Sequence, residues 1–296
     1  MQHEQQSLRN LSKETATFIW FHALRNVVHH FRKSSQAKND MIVHFQEYYQ
    51  NNPAQLNRLL KFADTYESNH PLCWYAQPSF ISDIINKTLR ACDIDALFSL
   101  RYCIIDLCQS LEELPRPTES LIVYRAVLID RDKFDRMKKT MTKGNFVSTH
   151  GFLSKSKNRK VAEKFESNDN KDSNKVEIIY EIDVRVGLKR IVFGNIQIFS
   201  ESAEEEEILF DLDSSFEFIK MIEDVEKDGR WILRLQASNC DAMISDKYVT
   251  DSQRELERLS AEILFEKLLI DMDEPDEGIK YFQKILMQSK ENQKGK

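Results

Sequence analysis

Glycine is missing from the first 143 residues: none of the seven occurs before Gly144, while Gly144, Gly151, Gly187, Gly194 and Gly229 fall together after that point. Long glycine-free stretches with helical spacing suit helices, and glycines set between short apolar runs suit turns between strands. There is no Gly-x-Gly-x-x-Gly and no phosphate-loop pattern, which argues against the common glycine-rich nucleotide sites. The five cysteines (Cys73, Cys92, Cys103, Cys108, Cys240) contain no Cys-x-x-Cys pair, and their odd number fits badly with a closed disulfide framework, so they read as reduced thiols. No uninterrupted apolar run is long enough to span a bilayer, and Met1 to Gln6 lacks the apolar run of a secretory signal; the expectation is a cytoplasmic enzyme with no membrane association. A basic excess is missing too. The formal net charge of -6 argues against a general nucleic-acid or anionic-membrane surface. A metal site is equally unsupported, because His29 and His30 are adjacent rather than facing on a helix and His150 stands alone.

What is present is ordinary in composition, and 296 residues suffice for two compact units with a sizeable core. The pattern changes near Pro115-Arg116-Pro117. Before it, helices are expected at about 11–32, 37–50, 54–66, 78–91 and 93–113, the first with Phe18, Phe21, Leu24, Val27, Val28 and Phe31 along one face. After it come short runs rich in branched and aromatic residues at about 120–126, 145–149, 176–183, 189–199, 206–212, 214–222 and 230–237, interrupted by helical patterns at about 131–142 and 157–167. From about 249 the chain returns to helices. The boundaries expected are therefore a helical lobe over 1–114, a mixed domain over 115–240 and a helical tail over 241–296.

Three local patterns carry chemistry. The run Glu204-Glu205-Glu206-Glu207 breaks directly into Ile208-Leu209-Phe210, which places carboxylates at the mouth of a buried strand. Carboxylates so placed stabilise a sugar that becomes cationic as its glycosidic bond breaks. Residues two apart on extended backbone point the same way, so Glu205 and Glu207 are expected on one side and Glu206 on the other. Arg125 ends the apolar run Leu121-Ile122-Val123-Tyr124, and its planar fork suits phosphate or carboxylate oxygens. Ser154 and Ser156 flank Lys155, so their hydroxyls face one side and Lys155 the other. A charge run is also the ordinary make-up of a solvated turn, and an arginine at a strand end is often plain surface.

In this order and with these neighbours the chain resembles the arginine-specific mono-ADP-ribosyltransferases of the R-S-E group, over about residues 115–240. The matching residues are Tyr124-Arg125, Ser154-Lys155-Ser156 and Glu205-Glu206-Glu207 with Ile208-Leu209-Phe210. An alternative serine motif at Ser148-Thr149 fits less well, since Gly151-Phe152-Leu153 precedes the family's serines and a helix should follow them. The resemblance implies an α+β ADP-ribosyltransferase fold, two small β-sheets around an NAD cleft, with NAD or NADP as substrate and no metal. It implies that Arg125, Tyr124, Ser154, Ser156 and Glu207 bind the dinucleotide and that Glu207, Glu205, Ser154 and Arg125 are catalytic. Glu205 would hold the acceptor's guanidinium, and Phe199 would face the acceptor or else be a strand-end core aromatic. The segment 166–175 would correspond to the family's loop over the nicotinamide and phosphates or be a plain polar loop. Lys155 replaces the usual threonine, and Ala126 stands where the family often has glycine, a methyl group that would narrow the dinucleotide's approach. The expected partner is a protein with an exposed arginine. The tail resembles the start of a tetratricopeptide repeat and offers a second protein partner. Two rival readings are an NAD glycohydrolase, with water in the acceptor's place, and a non-enzymatic interaction protein on a degenerate transferase core.

Overall fold

A computed structural model describes residues 8–10, 33–66, 71–77, 80–91, 93–149, 151–164, 174–189, 191–200, 206–212 and 214–239. The expected helix at 11–32, most of the 166–175 loop, Glu205 and the tail from 241 lie outside these residues.

The helical part follows from local signals. Ser34 caps the helix Ser35–Tyr48 by accepting from the Ala37 N–H, and Asn52 does the same for Pro53–Thr65, whose first residue needs no N–H donor of its own. Asp93 caps Ile94–Glu113 through the Ala96 N–H. Phe80–Ala91 lies between, and a short helix, Pro71–Ala76, forms where the sequence suggested only a break before a proline. Proline at a helix start is as compatible with that position as a break is.

The strands are β1 (Leu8–Asn10), β2 (Leu121–Asp130), β3 (Phe146–Thr149), β4 (Leu153–Ser156), β5 (Lys175–Val184), β6 (Phe193–Asn195), β7 (Glu207–Phe210), β8 (Ser215–Glu223) and β9 (Arg230–Ala237). They form one ladder in the order β1-β3-β8-β9-β5-β2-β4-β7-β6, all antiparallel except β5 with β9. The two expected sheets are thus continuous, but only just. β2 and β4 meet through a single register pair, Tyr124 opposite Ser156, and the three strands β4-β7-β6 fold back over the other six. One buried cluster fills the space between, taking Leu153, Phe193, Ile208 and Phe210 from the smaller group and Val123, Ile178, Ile182, Phe216 and Leu233 from the larger. Phe210 and Phe216 meet edge to face, with ring centroids 5.5 Å apart, across that gap.

The helices cover the other face of β4-β7-β6. Phe152, Ile196, Leu209 and Leu212 join the core of the helical lobe, so lobe and sheet share one hydrophobic interior. Each fully buried Phe or Leu here contributes about 1.5–3 kcal/mol of transfer free energy. A third, small cluster of Ala126, Ile179 and Ile232 lies on the outer face of the six-stranded part, where the helix Arg159–Lys164 follows the serine strand. Among the described residues between 189 and 199 only Phe193–Asn195 is strand; Gln197–Phe199 curls into a 3-10 turn, where the Asn195 side chain accepts from the Gln197 N–H.

Candidate active site

The carboxylate, the serine and the arginine, spread over 82 positions in sequence, come together where β2 parts from the paired strands β4 and β7. Register brings the serine to the carboxylate. In the β4–β7 ladder Ser156 faces Glu207 and Ser154 faces Leu209, so Ser154 and Glu207 share a face as diagonal neighbours. The Ser154 hydroxyl donates to Glu207 Oε1. Arg125 Nη1 donates to the Ser154 backbone carbonyl at 3.4 Å, a long contact that leaves most of the guanidinium fork for another acceptor.

Glu207 is 8 % exposed and opens β7. Its carbonyl accepts from the Ile196 N–H at 2.9 Å, and the preceding Glu206 carbonyl accepts from the Lys157 N–H at 3.2 Å, so the carboxylate rides on backbone pinned from both sides. Ser156 serves a different end from Ser154: its hydroxyl accepts from the Asn158 N–H at 2.9 Å, fixing the turn into the following helix. Glu206 has φ +41, in the left-handed region. Alternation of sides requires extended backbone, so the argument that put Glu205 and Glu207 on one side does not carry through Glu206.

Three helical residues reach this point, and sequence reasoning missed all of them. The fully buried Tyr75 phenol is pushed well above its usual range, first by burial; the Glu207 carboxylate adds to the rise while Arg125 and Arg90 oppose it. Tyr75 thus lies within the electrostatic reach of all three charged groups. Asn86 Nδ2 donates to Tyr75 Oη at 2.7 Å. A Cβ on Gly151 would sit 2.7 Å from Asn86 Oδ1, so the glycine before β4 is what lets Asn86 approach the serine strand. Asn86 and Arg90 stand four apart on Phe80–Ala91, one turn of a single face. The signal was available in that spacing, but a polar pair on a helix has no distinguishing pattern.

Other expected residues fall elsewhere. Arg125 is not at a strand end but near the middle of the ten-residue β2. Tyr124, its neighbour, points to the opposite face, packing on the cluster of Ala126, Ile179 and Ile232; burial raises its phenol first, and Glu181 adds to the rise. Ala126 is 3 % exposed in that same cluster, so its methyl group is turned away from Arg125 and narrows nothing there. Phe199 is partly buried against the helical core, which favours the packing role over the acceptor-facing one. The exposed apolar residue of that turn is its neighbour Ile198, 82 % exposed. Lys155 does point away from the serine pair, as alternation requires, and lies with Nζ 4.7 Å from the Tyr180 ring centroid.

Among the described residues no group of three or more His, Cys, Asp or Glu side chains could hold a metal, and no helix is long and apolar enough to cross a membrane.

The ADP-ribosyltransferase exoenzyme family model matches residues 75–241, more than half of the chain, beginning within the helical part at Tyr75. The chain belongs to that family, whose members transfer ADP-ribose from NAD, and it has the ADP-ribosyltransferase fold. Similar solved structures include Vis toxin from Vibrio splendidus, 14% identical, covering 73% of this chain and 91% of that one with a TM-score of 0.45. HopU1 of Pseudomonas syringae is 16% identical over 71% of this chain and 100% of that one, with a TM-score of 0.46. Exoenzyme S from Pseudomonas aeruginosa is 14% identical over 69% of this chain and 90% of that one, with a TM-score of 0.43. No curated protein sequence matches the chain.

Proposed function

We propose that the protein is a mono-ADP-ribosyltransferase that moves ADP-ribose from NAD, or NADP, to an arginine side chain of a protein, with Arg125, Ser154 and Glu207 as its working centre. The observation that carries this reading is that Ser154 links the other two, its hydroxyl donating to the Glu207 carboxylate while its backbone carbonyl accepts from Arg125.

The reaction breaks the bond between the nicotinamide nitrogen and the ribose. The electron pair leaves with nicotinamide, which departs neutral, and positive charge develops on the sugar. A nearly buried carboxylate stabilises that charge more strongly than one in water. Ser154 keeps Glu207 in one rotamer, so little reorganisation accompanies the developing cation. Arg125 keeps most of its donors for the dinucleotide's phosphates, and Tyr75, Asn86 and Arg90 close the site from the helical side. Ser156 shapes the turn behind it, and Tyr124 supports β2 from its other face. A guanidinium nitrogen of the acceptor then attacks the sugar carbon and gives up a proton.

Arginine specificity rests on Glu205, whose carboxylate would pair with the acceptor guanidinium and orient its nitrogen. A second reading, NAD hydrolysis, is favoured by one observation: the left-handed Glu206 removes the backbone argument for Glu205 and Glu207 acting from one side. Glu205→Gln separates the two. With NAD and free arginine as acceptor, transfer should fall while nicotinamide release persists; equal loss of both, in a folded protein that binds NAD, would give Glu205 to bond breaking instead. The tail over 241–296 is proposed as a site for a further protein partner on its tetratricopeptide-like pattern alone.

A further inference from the structure

The least expected side chain near the site is Lys155. It is 2 % exposed, and among the described residues its Nζ has no hydrogen-bond partner. Since Tyr124 faces Ser156 across β2 and β4, Lys155 and Arg125 come next in register and lie on the same face, the inner one. Tyr180, over whose ring the Lys155 amine sits, is Arg125's partner across β2 and β5. The groups around the amine are therefore Arg125 from β2 and the Tyr180 ring from β5, while Glu207, opposite Ser156 on β7, belongs to the other face with Ser154. Burial, and then the neighbouring Arg125 cation, hold the Lys155 amine well below the usual lysine range.

We propose that Lys155 is a second, conditional cation for the dinucleotide: its buried amine, without a hydrogen-bond partner among the described residues, takes up a proton when the dinucleotide's phosphates settle on Arg125. The inference rests on the reading of Arg125 as the phosphate-holding residue. Of the two influences that disfavour the charged amine, an anion on Arg125 cancels the second and adds an attraction of its own, strong in a low-dielectric interior. The Tyr180 ring offers the resulting ammonium a face to rest on. A threonine or methionine at this position could do neither. The proton comes from solvent and is returned when the dinucleotide leaves, so binding and protonation are linked in both directions.

Linkage fixes the sign and the size. If one proton is taken up per dinucleotide, the dissociation constant rises by about tenfold per pH unit through the interval between Lys155's free and bound titrations. The test is calorimetric titration of the intact protein with NAD from neutral to alkaline pH, in buffers of different ionisation enthalpy. The wild type should take up close to one proton per NAD. Lys155→Met, an unbranched replacement of similar length, should bind NAD with no proton uptake and with an affinity that is flat across the same interval. Binding by the wild type without proton exchange overturns the inference even if the variant fails to fold, as does equal uptake by wild type and variant. No NAD binding by the wild type at all would overturn the reading of the site together with the inference.

Discussion

The Ser154 hydroxyl donates to the Glu207 carboxylate across the short β4–β7 ladder, joining the first residue of the serine motif to the last of the glutamate motif, 53 positions later. Removing the hydroxyl leaves a nearly buried carboxylate short of a donor, which costs about 1–3 kcal/mol. Ser154→Ala should therefore lower the rate of nicotinamide release by about tenfold to a hundredfold while NAD binding changes little. Unchanged turnover, with the fold checked by circular dichroism, would make the contact incidental.

Among the described residues Arg125 donates one long hydrogen bond, to the Ser154 carbonyl at 3.4 Å. Arg125→Lys supplies charge without the planar fork. The dissociation constant for NAD should rise by about tenfold or more, as expected for losing a charge-assisted bidentate contact. Calorimetry giving the wild-type affinity would place Arg125 outside the phosphate site.

Lys155 also makes a prediction about stability that is independent of any ligand. Its amine is held below the usual lysine range in the folded state, first by burial and then by Arg125, so the unfolded chain binds the extra proton. Stability contributed at this position therefore rises with pH between the folded and unfolded titrations, by about 1.4 kcal/mol per pH unit. Lys155→Met should flatten that rise and raise stability at neutral pH. Urea unfolding at neutral and alkaline pH reads both effects; parallel curves for the two proteins would show that the amine is charged in the folded state.

Much of this was legible in the sequence. Among the described residues, the six helices expected between 37 and 167 and most strands fall within a few residues of their expected places, because periodicity, caps and the distribution of glycine agreed with one another; the helix Pro71–Ala76 was not expected. The serine and glutamate motifs were found because each is a local pattern on a strand, and register then brings Ser154 to Glu207 without further help. What was not legible depended on the third dimension. Tyr75, Asn86 and Arg90 enter the site only because the helical lobe packs on the outer face of β4-β7-β6, and nothing within their own helices announces it. Phe199 and Ile198 are adjacent apolar residues, and only the capped turn decides which is packed and which is exposed. Glu206 shows the limit of the period-two rule, since one left-handed residue at the head of a strand is invisible in a run of four identical side chains.

The most direct test of the proposed chemistry is to incubate the protein with NAD labelled in its adenylate part and with free arginine, and to measure arginine adduct, free ADP-ribose and nicotinamide together, for the wild type and for Glu207→Gln. The wild type should release nicotinamide and accumulate labelled arginine in step. Glu207→Gln should bind NAD almost normally but lose both products by on the order of a hundredfold or more, as when one electrostatic stabiliser of a transition state is removed. Free ADP-ribose without an arginine adduct from the wild type, or near-normal turnover by Glu207→Gln, would contradict the account.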